Sequence, residues 1–326
     1  GTGRELSAPS HVLIRGSRIE RISSTPIAID RRADTVLIDG GGRTLMPGLI
    51  DMHWHTMLVR PSHAALLTAD VGHLNLLAGA EATATLMRGF TTVRDLGGPA
   101  FGLKRAIDEG TIAGPRIYPS GAIITVTSGH GDFRQPFELP RALGEARSRG
   151  EHIGAAMIAD SPDEVRVRVR EQLLQGASQI KLTAGGGVAS PNSPLDASTF
   201  TEAELRAAVE AAENWGTYVT VHAYTPASIQ RAIAAGVKCI EHAHLIDEPT
   251  AKLIAEPELM TFVAVSACVT ISRSMARLVA ASAFLYCIAR TFGLERNASN
   301  ESMRYFMKCS FGVPVTWLRP SSDSGI

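Results

Sequence analysis

The stretch GLIDMHWH, residues 48–55, runs from apolar residues into two histidines, His53 and His55, separated only by Trp54. Residues two apart on a β-strand project from the same face. Both imidazoles therefore stand on one side of a strand, near its end, at a spacing that can grip one metal ion. Whether that spacing has a use depends on what the rest of the chain brings beside it.

From residue 45 onward, strand and helix alternate. TLMPGLIDMHWH reads as a buried strand and NLLAGAEATATLMRG as the helix after it. FTTVRDLGG and AFGLKRAIDEGTI form the next pair, and PRIYPSGAIIT is a third strand before a polar loop carrying SGHGDFR. SPDEVRVRVREQLLQG opens with a Ser-x-x-Glu capping box, which starts a helix. Then come the strand ASQIKLTAGGG, the helix TEAELRAAVEAAENWG and the strand TYVTVHAYT. PASIQRAIAAG is a helix that starts on Pro and ends in Gly. VKCIEHAHLI is a sixth strand, EPTAKLIAE a helix and LMTFVAVSA a seventh strand.

Apolar strands alternating with helices make a parallel sheet covered by helices. Polar residues gather at the C-terminal ends of successive strands, where barrel active sites lie. The expected fold is therefore an α/β (β/α)8 TIM-type barrel over 45–262, incomplete at its last strands. Before it, HVLIRGSRIERI and TVLIDGGGRTL read as short strands around Gly turns, giving a small N-terminal β-sandwich portion over 1–44. Residues 263–326 read as a divergent or frameshifted tail.

Composition narrows the function. With 326 residues, 45% of them apolar, the chain can bury a sizeable core. Thirty-two basic residues balance thirty-two acidic ones, so nothing global draws the chain to nucleic acid or to an anionic membrane. Four cysteines without C-x-x-C spacing argue against a disulfide framework and for a reduced, cytoplasmic setting. The longest apolar run, LVAASAFLYCIA, is too short to span a bilayer.

Three further residues fall on strands of the same repeating unit: His222 in VTVHAYT, His242 in IEHAHL and Lys181 in QIKLTAGG. A lysine inside a buried strand is costly as a cation. A neutral amine can add carbon dioxide, and the resulting carbamate is an anionic two-oxygen ligand able to bridge two metals. Each residue alone would be an ordinary core or surface group, but four strands carrying such groups in one unit favour a metal centre. His244, two after His242, is an alternative ligand. Tyr224 follows His222 by two and points the same way. His130 lies in a Gly-rich loop near the mouth.

These motifs resemble the amidohydrolase superfamily. PGLIDMHWH is similar to its Pro-Gly-(Leu/Phe)-Ile-Asp-x-His-x-His signature, and IKLTAGGG, VHAY and IEHAHLID are similar to its later metal strands. The nearest resemblance is to the prolidase-like and imidazolonepropionase-like hydrolases. It implies two divalent metal ions, zinc being usual, with His53 and His55 on the first and His222 and His242 on the second. Lys181, carbamylated with carbon dioxide, would bridge them, and His130 and Tyr224 match positions that contact substrate. The implied reaction is hydrolysis of an amide bond in a dipeptide or N-acyl amino acid. Alternatives are a cyclic-amide hydrolase of the imidazolone type and an impaired, metal-binding fragment. The expected partner is a small amide or dipeptide substrate, with no nucleic acid and no membrane; homo-oligomeric assembly is left open.

The family also carries an Asp after its eighth strand, which ligates the first metal and serves as general base. Here the only aspartate after Asp247 is Asp323, in SSDSGI. One explanation is a slipped reading frame near residue 262. In a shifted frame VPVTWLRPSSDS allows a Gly-Asp motif, with the Asp straddling Val315 and Thr316.

Overall fold

The structure, a computed structural model, describes residues 8–30, 34–138, 146–190, 192–256 and 261–264. It divides into two compact units, one holding the described residues before Gly48 and one beginning at Gly48.

In the first unit, β1 (His11–Arg15) and β2 (Arg18–Ser23) form an antiparallel hairpin. Its turn contains Gly16 at φ +57°, a left-handed conformation that glycine adopts without steric cost. TVLIDGGGRTL is not a strand: Val36, Leu37 and Ile38 are each more than four-fifths exposed. The β-branched Val36 and Ile38 favour extended backbone, but among the described residues no neighbouring strand gives it a ladder.

The second unit holds two parallel sheets. The first sheet runs β3 (Leu49–Trp54), β4 (Phe90–Asp95), β5 (Arg116–Pro119). The second contains β6 (Ile123–Thr125), β7 (Ala156–Ile158), β8 (Ile180–Thr183), β9 (Val219–Ala223), β10 (Cys239–His242) and β11 (Phe262–Ala264). Its order is β11-β10-β9-β8-β6-β7. The single expected strand PRIYPSGAIIT is split into β5 and β6 by Gly121 at φ +76°. A backbone bond still crosses the split, with Ser178 N–H, just before β8, donating to Pro119 O of β5. β7 has no counterpart in the sequence reading, because three residues are too few to show a period. Strand after strand is followed by a helix, giving the TIM-type α/β fold. Among the described residues nothing pairs with the outer edge of β3 or of β11, so the barrel is not closed there.

Local sequence explains where the helices begin. Thr201 caps α6 (Glu202–Glu213) in a complete capping box with Glu204. Thr225 caps α7 (Pro226–Ala234) and Asp247 caps α8 (Glu248–Ile254), both with Pro in the first turn. At α5 (Pro162–Leu174) only half of the expected box forms. Ser161 accepts from Glu164 N–H, but the Glu164 carboxylate takes Asp160 N–H instead.

Strands β8, β9 and β10 alternate, with their apolar sides turned to the helices. Ile180 and Leu182, then Val219, Val221 and Ala223, then Ile240 join one core with Val169 of α5, Leu205 of α6 and Ile229 of α7. Their neighbours Lys181, Thr220, His222, Cys239 and Glu241 are equally buried but point to the other side. The inside of the barrel is therefore polar, and that side carries the site.

Candidate metal centre

The C-terminal ends of β3, β9 and β10 and the loop after β6 bring five histidine rings into one row. His55 and His53 have centroids 5.2 Å apart, His53 and His242 4.5 Å, His242 and His222 4.7 Å, and His222 and His130 4.3 Å. Tyr224 packs 4.5 Å from His222. Lys181, 2% exposed, lies near enough that its charge bears on His53, His55, His130, His222 and His242 alike. The residues singled out from sequence thus share one location, although they are drawn from four strands and a loop.

His242 needs a special backbone to get there. Cys239 and Glu241 face inward, so strict alternation would send His242 outward beside Ile240. His242 and Ala243 instead take φ +76° and +51°. That left-handed step costs a non-glycine residue about 1–2 kcal/mol and turns the imidazole over the end of the strand. His244 stacks behind it at 5.6 Å and meets Tyr224 at 5.5 Å, with its Nε2 buried and unpartnered among the described residues. Of the two, His242 is the one in ring contact with both His53 and His222.

The electrostatics keep these rings neutral. Burial lowers His55 to about 3 and His130 to about 4, with Lys181 adding to both. Burial also lowers His53, His222 and His242. Lys181 itself is lowered to about 8, chiefly by burial. Neutral imidazoles are what a metal requires.

The tautomers can be read from the partners. His222 Nε2 lies 2.8 Å from Gly186 O, and a carbonyl only accepts, so Nε2 holds the proton and Nδ1 keeps its lone pair. His53 Nδ1 lies 2.7 Å from Glu241 Oε2. Burial would raise the Glu241 carboxyl, but Arg94, then His53 and Lys181, outweigh it and hold it well below the carboxylate range. His53 therefore donates from Nδ1 and keeps Nε2 bare. His55 Nδ1 approaches Gly97 O at 3.4 Å in the same sense. Metal-binding histidines characteristically tie off the second nitrogen in this way, so the donor set fits divalent ions. Among the described residues no three of His, Cys, Asp and Glu stand together as a finished metal cage. The expected final Asp, Asp323 and the proposed frame slip all lie outside the described residues.

Sequence reasoning missed Arg94, Glu241 and Ser190. Arg94 and Glu241 are 4% and 0% exposed and ion-paired inside the barrel. The signal that marked Lys181, a charge within an apolar strand, was present for both. Ser190 Oγ holds His130 Nδ1 at 2.9 Å and accepts from Gly131 N–H, a loop contact with no spacing signature.

Comparison with known proteins gives the family. The Amidohydrolase family model matches residues 44–304. Ochratoxinase of Aspergillus niger is 36% identical over 227 residues, 66% of this chain and 46% of that protein. The chain thus spans about half the length of the curated relatives it matches first. A solved prolidase complexed with N-methylphosphonate-L-proline superposes with TM-score 0.70 at 35% identity, covering 91% of this chain and 67% of that one. A Xaa-Pro dipeptidase with bound methionine superposes with TM-score 0.62 at 28% identity, covering 86% and 70%. With the family model spanning most of its length, this chain belongs to the amidohydrolase family.

Proposed function

We propose that the chain is a metal-dependent hydrolase that cleaves the amide bond of a small substrate, a dipeptide or an N-acyl amino acid. One observation carries the reading: neutral imidazoles from three strands converge with a buried lysine, and the second nitrogen of His53 and of His222 is tied to an acceptor. His53 and His55 would hold one divalent ion, His222 and His242 the other, and a carbamate on Lys181 would bridge them. Zinc suits this nitrogen-rich set, as do cobalt and manganese. When bound, such ions supply a water activated near neutral pH and polarise the substrate carbonyl.

The chain's own residues do the rest. Tyr224, whose hydroxyl burial keeps protonated, can donate a hydrogen bond to the substrate. His130, held by Ser190, sits beside His222 where it can contact the same group. The general base that the resemblance calls for is an Asp after the eighth strand; after Asp247 the sequence offers only Asp323, outside the described residues. The prolidase and the Xaa-Pro dipeptidase among the similar structures support a dipeptide substrate.

The test is release of free amine from a panel of dipeptides, Xaa-Pro included, and N-acyl amino acids. Turnover that disappears with a chelator and returns with zinc, cobalt or manganese is expected. Bound metal with no turnover on any member would overturn the reading.

A further inference from the structure

We propose that Arg94 and Glu241 form a clamp that aligns the two halves of the metal centre, with Glu241 as the positioning residue of His53. The inference rests on the metal-hydrolase reading and adds residues that the reading does not use.

The two halves stand on different sheets. His53 lies on β3 and His55 just past its end, His222 and His242 lie on β9 and β10, and among the described residues no ladder joins β3 to β11. The polar interior supplies a link instead. Glu241 Oε1 accepts from Arg94 Nη2 and Thr220 Oγ1, and lies 3.2 Å from Cys239 Sγ. With that oxygen occupied, Oε2 receives His53 Nδ1–H at 2.7 Å. Arg94 Nε donates to Met52 O at 2.8 Å, one residue before His53, and Nη1 to Tyr218 Oη at 3.1 Å, one residue before β9. One guanidinium therefore fixes β3, β10 and the start of β9 against each other.

Stability does not account for such a pair. Apolar residues of similar volume often replace a buried ion pair at no loss. What an apolar pair could not do is orient the His53 ring, and a carboxylate on the far nitrogen does that. Glu241 is also the residue before His242, so one strand end carries a ligand of one ion and the residue that aims a ligand of the other.

Two measurements test the clamp. In the metal-free wild-type chain, 15N spectra of the imidazoles, with His53 identified by its loss in His53→Gln, should show His53 protonated at Nδ1. A proton on Nε2 would overturn the proposal whatever the activity. In Glu241→Gln, cobalt(II) titration should show one of two ions weakened about 10–100-fold and the other within about twofold of wild type. A folded variant that binds both ions as wild type does, or weakens both equally, contradicts it. If the wild-type chain takes up no cobalt, the proposed function fails, and the His53 spectrum alone decides the clamp.

Discussion

Nε2 of His222 lies 2.8 Å from the carbonyl oxygen of Gly186. This bond ties strand β9 to the loop after β8, and the same loop reaches His130 through Ser190. The loop needs its glycines. A Cβ at Gly186 would meet Pro194 O at 1.7 Å, and one at Gly187 would meet His130 Nδ1 at 2.3 Å.

Gly187→Ala should therefore push the His130 ring aside and leave the barrel intact. Misplacing a substrate contact by about 1 Å can cost on the order of 10²-fold in rate. Steady-state kinetics should show kcat/KM lowered by about 10–100-fold, with thermal unfolding little changed. Gly186→Ala meets backbone instead of a side chain and should destabilise the fold as well.

Lys181, lowered to about 8 by burial, has a substantial neutral fraction at mildly alkaline pH. A carbamate forms only from the neutral amine. Metal-stripped chain should regain zinc more completely when bicarbonate is supplied than in carbon-dioxide-free buffer, and, at equal dissolved carbon dioxide, faster at pH 9 than at pH 7. Lys181→Met should lose both dependences. Zinc content measured after gel filtration checks this.

The helix-facing side of the strands sets stability. Leu182 and Ile240 are fully buried in the core under α5, α6 and α7. Leu182→Ala or Ile240→Ala should cost about 2–5 kcal/mol in urea unfolding, because the packed surroundings close only partly over the lost volume.

Asp132 anchors the loop that carries His130. Burial alone would raise its carboxyl, but hydrogen bonds from Arg134 and from Ser128 N–H, with the Arg134 charge, lower it overall. A folded-state value below the unfolded one, about 3.9, gives stability that is present at neutral pH and lost as pH falls below about 4. Asp132→Asn should lower the unfolding midpoint at pH 7, and the difference from wild type should shrink at pH 3.

Much of this was legible in the sequence because period and chemistry coincide. The alternation Val219-Thr220-Val221-His222 puts apolar groups toward helices and polar groups inward, and Thr201 with Glu204 marks the start of α6. His53, His55, Lys181, His222 and His242 were readable because each is a costly group at or near the end of an apolar strand. The turn at His242 was not, since a left-handed backbone at a histidine has no residue signature. Arg94 and Glu241 become interpretable only when β4 and β10 face each other, 147 residues apart in the chain. The short strand expected at TVLIDGGGRTL failed for a related reason: strand propensity does not supply a neighbour.

The central claim is that His53 and His55 hold one ion and His222 and His242 the other. Metal content by mass spectrometry after zinc loading, in the presence of bicarbonate, tests it most directly. The account predicts two ions per wild-type chain, with one lost in His55→Ala and one lost in His242→Ala. A wild-type chain that binds none, or variants that keep both, would contradict it.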